Sequence, residues 1–155
     1  MSPTTKPKAD NRRVTTEYSQ SMKKLLARRT YNAGRRPSQH SIGQKSFLID
    51  NGGAIPPNVL SISNTRSGDP YQRYCRANGL TPHPARMASK LAPFFVEFLT
   101  EPGDLVLDPF AGSNTTGSVA EQLSRKWLSI EAEDDYATAS ASRFVPPDQR
   151  ASFSF

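Results

Sequence analysis

The spacing of the hydrophobic positions changes near the middle of the chain, and the two halves differ in character. In the first half, the pattern allows one amphipathic helix from Thr16 to Arg29, with Tyr18, Met22, Leu25 and Leu26 on its apolar face. Residues 31–46 hold few apolar side chains and are predicted to be an extended loop. Alternate apolar residues predict a strand over Val59–Ile62.

The second half has the regular order of strands and helices. Ala85–Thr100 is predicted to be helical, with a kink or restart at Pro93. Leu105–Leu107 is a short continuous apolar run, typical of a strand buried on both faces, and the next strand is predicted over Trp127–Glu131. Helices are predicted to follow the two strands, over residues 115–123 and 134–144. This β-α-β-α order implies parallel strands with a right-handed crossover, and therefore an α/β fold.

Composition limits the size of the core and the class of protein. Of the 155 residues, 35% are hydrophobic and 13 are proline, which favours a small core with much loop. No segment has the run of ~20 apolar residues that a membrane span needs, and Met1–Asn11 has no apolar stretch typical of a secretory signal. A cytoplasmic protein without membrane association is therefore expected.

The cysteine and histidine content argues against a metal site. Cys75 is the only cysteine, so an internal disulfide is excluded, and His40 and His83 are the only histidines. A zinc site of the Cys/His type is not expected from so few ligands. Cys75 is interpreted as a partly buried small residue rather than as a nucleophile.

Charge is distributed unevenly along the chain. Residues 1–50 carry eleven Lys/Arg against three Asp/Glu, whereas residues 101–155 carry four against nine. A basic half usually indicates a polyanionic partner such as double-stranded DNA. The alternative is a solubilising tail, since residues 1–14 are polar and have the composition of a flexible basic arm.

The most informative segment is Leu105–Gly117, in which small residues follow a predicted buried strand and precede a helix. Open α/β sheets bind nucleotides at such a turn. Ala111 and Gly112 would allow a ligand close to the backbone, Asn114 tolerates a left-handed conformation, and Thr115 and Thr116 could cap the helix. The first amides of that helix would favour a carboxylate or phosphate.

An acidic residue completes this predicted site. Glu131 ends the second strand, at a spacing from Asp108 that suits a carboxylate accepting hydrogen bonds from ribose hydroxyls. The alternative is that Glu131 only caps the next helix. The chain has no Gly-Lys-Ser/Thr and no Gly-x-Gly-x-x-Gly, so neither an NTPase loop nor a nicotinamide site is supported.

Asp108–Gly117 resembles the S-adenosylmethionine loop of the DNA amino-methyltransferases, and the form with Asn114 resembles the N4-cytosine members of type II restriction–modification systems. His83-Pro84-Ala85-Arg86 resembles the segment that closes over the methionine end of the cofactor, and Ser124–Glu131 resembles the second strand with its ribose-binding acid. The resemblance covers roughly residues 10–145. It implies the C-terminal part of such an enzyme, with a partial Rossmann-like methyltransferase fold and an irregular basic N-terminal half.

The same resemblance implies the residues of the site. S-adenosylmethionine would contact His83, Pro84, Asp108, Pro109, Phe110, Ala111, Gly112, Ser113, Asn114, Thr115, Thr116 and Glu131. Two of these residues have an alternative to cofactor contact: Phe110 could belong to the core, and His83 could make a structural hydrogen bond. DNA contacts are expected from Arg35, Arg36, His40 and Arg66, although solvated arginine is common.

The expected organisation has four parts: a flexible arm over residues 1–14, a basic DNA-contacting region over 15–82, the cofactor subdomain over 83–144 and a tail over 145–155.

These enzymes also need a Ser/Asp-Pro-Pro-Tyr/Phe motif, which accepts hydrogen bonds from the target amine and stacks on a base flipped out of the duplex. Asp69-Pro70-Tyr71 lacks the second proline, and Ile55-Pro56-Pro57-Asn58 lacks both acceptor and aromatic residue. Cys75 lacks the preceding proline expected for methylation at carbon 5, so no catalytic residue is assigned. Two strands with their helices would also leave an open sheet edge and a large apolar surface.

Three functions follow as hypotheses. The chain could be an N4-cytosine methyltransferase part that is active only with a separate chain carrying the catalytic motif, with N6 of adenine as the alternative target. It could be a fragment that binds cofactor without catalysis. It could also be a DNA-binding module that uses only the basic half.

Overall fold

The structure, a computed structural model, describes residues 9–43, 47–63 and 68–145. The chain divides into two compact units, one from Asp10 to Val59 and a second that begins at Leu60. This boundary differs from the one expected between residues 82 and 83. The reason is that a helix within residues 60–82 packs against residues 134–143 of the second unit rather than belonging to the basic half. None of the helices among the described residues is long and apolar enough to span a membrane.

Within residues 10–43 and 47–59, the first unit contains one α-helix and a short hairpin. A 3₁₀ turn over Asn11–Val14 precedes α1 (Gln20–Arg28), which starts later than expected because the Ser19 hydroxyl caps it by accepting the Met22 N–H at 3.2 Å. Residues 31–46 were expected to be only an extended loop, but Gly34–Arg35 (β1) and Ser41–Ile42 (β2) pair there in antiparallel fashion.

The strand expected over Val59–Ile62 is wrong. These residues adopt no regular structure, and Val59 is 76% exposed. Alternating apolar residues stabilise a strand only when a neighbouring strand takes its backbone hydrogen bonds. No described segment pairs with this one.

The second unit begins with a helix that the apolar pattern did not indicate, α2 (Pro70–Ala77). The carboxylate of Asp69 caps it by accepting the Tyr71 N–H at 3.1 Å, and Pro70 occupies the first helical position, where its absent N–H costs nothing. Tyr71 and Cys75 are buried against Ala139, with Leu80 beside them. This small cluster joins α2 to the end of the helix over Asp134–Ser140.

The helix α3 (Leu91–Leu99) is shorter than the predicted Ala85–Thr100. Pro93 does not kink it, because the helix begins only two residues earlier and proline in a first turn breaks no intrahelical hydrogen bond. Ala92 and Val96 of α3 form a core cluster with Val119.

The remaining elements are β3 (Leu105–Asp108), α4 (Thr115–Gln122), β4 (Lys126–Ser129), α5 (Asp134–Ser140) and a final 3₁₀ turn over Ala141–Arg143. β3 and β4 are parallel, with Leu105 opposite Lys126 and Asp108 opposite Ser129. The predicted β-α-β-α order and the parallel pairing are therefore present, and the α/β class is confirmed.

The two-stranded sheet has one covered and one open face. Val106 packs against the cluster of α3 and α4. Trp127 stacks on Phe144 with ring centroids 4.6 Å apart, and its Nε1–H donates to Glu121 at 3.0 Å. Burial on both faces was expected for β3, but 63% of Leu105 and 58% of Leu107 are exposed. The open apolar surface predicted for two isolated strands is present.

Candidate functional site

The loop from Asp108 to Asn114 is held at the carboxyl ends of β3 and β4. The Asp108 carboxylate accepts the Phe110 N–H at 3.1 Å, which turns the chain directly after the strand. Ala111 donates its N–H to the Ile130 carbonyl at 2.9 Å, and the Ile130 N–H bonds to the Asp108 carbonyl at 2.9 Å. Both strand ends therefore fix the course of the loop.

Two residues of this loop have left-handed backbones. Gly112 has φ +52°, and a Cβ built there would lie 3.1 Å from Nε2 of His83. Asn114 has φ +51°, as the sequence suggested, and its side chain caps α4 by accepting the Gly117 N–H at 3.1 Å. The expectation that Thr115 and Thr116 provide the cap is wrong. They are the first two helical residues, and the amides of a first helical turn have no intrahelical partner.

Glu131 connects the end of β4 to the loop. One carboxylate oxygen accepts the Gly112 N–H at 2.6 Å, and the other accepts the Ala132 and Glu133 N–H groups at 3.0 and 3.1 Å. Backbone hydrogen bonds from Glu133 and Gly112 hold the pKa of Glu131 below its ordinary value. A carboxylate has about four acceptor positions, so Glu131 retains roughly one for a ligand hydroxyl.

His83 lies on the other side of Gly112, and its ring is fixed in orientation. Nδ1 lies 2.6 Å from the Ala85 carbonyl oxygen, which can only accept, so Nδ1 carries the proton of the neutral ring and Nε2 remains an acceptor. The backbone N–H of His83 donates to the Tyr71 hydroxyl at 3.0 Å, and its ring makes an edge contact with Tyr136. The alternative of a structural hydrogen bond at His83 is thus realised, and Nε2 still faces the loop.

Arg143 is a residue of the site that sequence reasoning missed. Its Nε donates to the Ser113 carbonyl, its terminal nitrogen lies 3.2 Å from the Ser113 hydroxyl, and its guanidinium stacks over the Tyr71 ring at 4.8 Å. Burial lowers the pKa of Arg143, and Asp69 at 3.7 Å opposes this shift. Arg143 therefore connects the Asp108–Asn114 loop to α2. In the sequence, Arg143 is an arginine near the end of a predicted helix, and that pattern does not indicate a contact with Ser113.

The structure supports neither of the two segments that were considered for the catalytic motif. Asp69 caps α2 and lies 3.7 Å from both Arg86 and Arg143, while Tyr71 is only 2% exposed. Ile55, in the other unit, is 71% exposed and has no acceptor group. Cys75 is fully buried, and burial raises the pKa of its thiol, which is the opposite of what a nucleophile needs.

A cleft of about 130 Å³ opens beside the loop. Its lining includes these predicted residues: His83, Asp108, Phe110, Ala111, Gly112, Ser113, Thr115 and Thr116. Pro84, Pro109, Asn114 and Glu131 lie outside this lining: the two prolines are exposed, Glu131 is half-buried and Asn114 is buried.

The cleft fits one part of S-adenosylmethionine rather than the whole molecule. Sites for whole cofactors usually measure ~300–1,000 Å³. The donor set suits the group, with an acceptor position on Glu131, the left-handed Gly112 permitting close approach, and helix-start amides for a carboxylate. Phe110 lines the edge of the cleft and is 89% exposed, so the alternative of a core role for Phe110 is wrong.

The residues expected to contact DNA lie in the first unit, except one. Arg35, Arg36 and His40 share the β1–β2 hairpin, whose turn is closed by the Arg36 N–H bonding to the His40 carbonyl at 2.9 Å. Arg35 and His40 are exposed, but Arg36 donates to the Asn32 carbonyl at 2.8 Å and lies over the Tyr31 ring. Arg66 lies outside the described residues.

Comparisons with known proteins agree with this geometry. A family model described as DNA methylase matches residues 2–142. The type II methyltransferase M.PvuII of Proteus hauseri is 52% identical over 141 residues, which are 90% of this chain and 42% of the relative. The type II methyltransferase M2.DpnII of Streptococcus pneumoniae is 43% identical over 54 residues, 35% of this chain and 20% of the relative.

Among solved structures, the cytosine-N4-specific PvuII DNA methyltransferase matches with a TM-score of 0.57 and 53% identity, over 61% of this chain and 33% of that one. This chain therefore spans less than half the length of the relatives that it matches. The predicted resemblance to DNA amino-methyltransferases and their α/β fold is confirmed.

Proposed function

The chain belongs to the DNA methylase family, and on that premise we propose that it forms the S-adenosylmethionine-binding part of a DNA methyltransferase. The observation that carries this proposal is the loop between β3 and α4, held open by left-handed Gly112 and bonded to Glu131. When bound, S-adenosylmethionine supplies the methyl group. The residues of this chain bind the cofactor and orient it.

Each loop residue has a distinct part in holding the cofactor. The free acceptor position of Glu131 would take a ribose hydroxyl, and the Phe110 ring would cover one face of the adenine. The amides of Thr115 and Thr116 start α4 and would face the carboxylate of the methionine part. Nε2 of His83 offers an acceptor across the cleft from these amides.

The methyl-transfer step needs residues that this sequence does not contain. No Ser/Asp-Pro-Pro-Tyr/Phe segment is present, and Asp69, the nearest substitute, already accepts the Tyr71 N–H. The residues of this sequence therefore account for cofactor binding and leave the methyl-transfer step to a further segment. Activity requires a further segment that places an acceptor on the target amine.

The target proposed is N4 of cytosine in double-stranded DNA. The support is the identity of 53% with a solved enzyme described as cytosine-N4-specific. N6 of adenine is the second candidate, because the cofactor loop contacts no part of the target base. Nucleoside analysis of DNA methylated by the reconstituted enzyme distinguishes the two products.

DNA is proposed to contact the first unit through the β1–β2 hairpin. Asp10–Val59 carries nine Lys/Arg against three Asp/Glu, and Arg35 and His40 are exposed at the hairpin. Arg36 contributes less, because it is half-buried and its guanidinium donates to both Tyr31 and Asn32, whereas exposed Arg35 donates to the Gln39 side chain at the hairpin turn. We expect Arg35→Ala to reduce the slope of log K against log salt by about one, which corresponds to the loss of one phosphate contact. Arg36→Ala should reduce the slope less.

The cofactor proposal is tested by calorimetric titration of the full chain with S-adenosylmethionine. Asp108→Ala removes the acceptor that holds the Phe110 amide, so affinity should fall about tenfold or more. Asp134→Ala, which removes an exposed acid from the first turn of α5, is the matched control and should bind normally. A folded wild-type chain that shows no saturable binding would refute the proposal.

A further inference from the structure

A cleft of about 670 Å³ lies in the first unit, between α1 and the start of the β1–β2 hairpin. We call it the basic cleft, because Lys24 and Arg28 line it from α1 and Arg36 lines it from the hairpin. The other described residues of its wall are neutral. Three positive charges therefore share one cavity, with no acid among the described lining residues.

The acids of the first unit do not neutralise this charge, because each of them has a partner elsewhere. Asp10 binds Arg12 at 3.0 Å, Glu17 binds Lys23 at 3.2 Å, and Asp50 accepts the Tyr18 hydroxyl at 3.1 Å. Among the described residues, neither Lys24 nor Arg28 forms an ion pair. The basic cleft therefore presents to a ligand two exposed cations that have no acidic partner in the described part of the chain.

The two cations of α1 repel each other. Lys24 and Arg28 are four residues apart, a spacing that puts their Cβ atoms roughly 5–6 Å apart on one helix face, and like charges there destabilise a helix. The helix dipole favours a cation at Arg28, the last residue of α1, but this effect falls off within the last turn and does not extend to Lys24. An anion bound between the two side chains would remove the repulsion.

The opposite wall of the basic cleft is held in place before any ligand binds. Arg36 donates to the Asn32 carbonyl at 2.8 Å and to the Tyr31 hydroxyl at 3.3 Å. The Tyr31 ring in turn packs on Phe47, with ring centroids 4.7 Å apart. A wall that is already ordered loses little entropy on binding. Since Arg36 also closes the hairpin turn, the cleft continues the surface for which DNA contact is proposed.

We infer that the basic cleft binds the sugar–phosphate backbone of one DNA strand, with Lys24 and Arg28 each contacting a phosphate. One strand of B-DNA carries a charge every ~3.4 Å along the helix axis, so neighbouring phosphates can reach two cations that lie one helical turn apart. Phosphate contacts fix the register of a protein on the duplex without reading its sequence. The cleft therefore positions the hairpin on DNA of any sequence.

Fluorescence anisotropy of two labelled duplexes of unrelated sequence, titrated with the full chain at several salt concentrations, tests the inference. The cleft variant, Lys24→Ala with Arg28→Ala, removes both contacts, and α1 stays helical because alanine is the best helix former. Arg12→Ala with Lys23→Ala is the matched control, since it removes two positive charges that already pair with acids. The exchange variant, Lys24→Arg with Arg28→Lys, keeps both charges in the cleft.

We expect the cleft variant to lower the slope of log K against log salt by about two with both duplexes, which corresponds to two lost phosphate contacts. The control and the exchange variant should keep the wild-type slope. An unchanged slope in the cleft variant would overturn the inference, and so would an equal fall in the control, which would assign the effect to net charge. A fall confined to one duplex would overturn it in favour of base reading. Competition by polyglutamate as strong as competition by DNA would overturn it in favour of an acidic peptide.

This inference rests on the proposed DNA contact of the first unit, and Arg35→Ala separates the two. A lower slope in Arg35→Ala with an unchanged slope in the cleft variant overturns only the basic cleft. The reverse result overturns only the contact at the hairpin. A folded wild-type chain that binds neither duplex overturns both, whereas S-adenosylmethionine titration of the same chain still decides the cofactor proposal.

Discussion

Asn114 combines three stabilising roles that a pair of substitutions can separate. Its backbone is left-handed at φ +51°, its Oδ1 accepts the Gly117 N–H at 3.1 Å, and the same atom accepts the Ser129 hydroxyl at 2.8 Å. Only 5% of the residue is exposed. Asn114→Ala removes the acceptor and penalises the backbone, whereas Asn114→Gly removes the acceptor but leaves the left-handed conformation unstrained.

The expected magnitudes follow from these roles. Loss of the cap costs ~1 kcal/mol for alanine and a few tenths for glycine. Loss of the bond from Ser129, which is half-buried, costs ~1 kcal/mol in both variants. Left-handed backbone costs alanine a further ~1 kcal/mol. We therefore expect the free energy of unfolding to fall by ~3 kcal/mol in Asn114→Ala and by ~1.5 kcal/mol in Asn114→Gly.

Urea unfolding at equilibrium, followed by circular dichroism, measures both values. Asn114→Asp is the matched control, since it keeps an acceptor at the helix start and should stay within ~0.5 kcal/mol of wild type. The order is the decisive result, because alanine is otherwise the better helix former. If Asn114→Ala were as stable as Asn114→Gly, the left-handed backbone would not constrain this loop, and the reasoning would be refuted.

Three further predictions concern the residues around the loop. Gly112→Ala should weaken S-adenosylmethionine binding about tenfold in calorimetry, because its Cβ meets His83 on a left-handed backbone, whereas Gly103→Ala, also left-handed but with open space around it, should bind normally. The pKa of Glu131 is lowered in the folded chain, so its contribution to stability is complete above the ordinary glutamate pKa of about 4.3 and is lost as the pH falls through the lower folded value. Melting temperatures between about pH 6 and pH 3 should thus fall more steeply in wild type than in Glu131→Gln, and parallel curves would contradict this. Arg143→Met should lower the free energy of unfolding by ~2 kcal/mol, because the buried Ser113 carbonyl loses its donor. The control Arg76→Met, at an exposed site, should change the free energy of unfolding little. Equal effects of the two variants in urea unfolding would exclude the contact.

The β3–α4–β4 part of the fold could be predicted because each of its elements is specified locally. Leu105–Leu107 and Trp127–Leu128 have the apolar character of strands, and Asn114 has the side chain that both a left-handed residue and a helix cap require. Asp108, Gly112 and Glu131 also meet at one strand edge, as expected. These residues lie together because the carboxyl ends of the parallel strands β3 and β4 meet at the same edge of the sheet.

The errors occurred where contacts distant in sequence decide the structure. Val59–Ile62 has the alternation of a strand but finds no partner among the described residues. α2 was missed because its apolar residues, Tyr71 and Cys75, are few and become buried only against Ala139. Arg143 could not be assigned either, since its hydrogen bonds to Ser113 span 30 residues.

Trp127 has a practical consequence for every experiment on this chain. It is the only tryptophan, it lies on β4 stacked against Phe144, and its indole N–H binds Glu121 on α4. Its fluorescence therefore reports the integrity of the β3–α4–β4 region and is silent about unfolding confined to Asp10–Val59. Circular dichroism records α1 as well as the second unit, so the difference between the two signals measures how independently the basic unit melts.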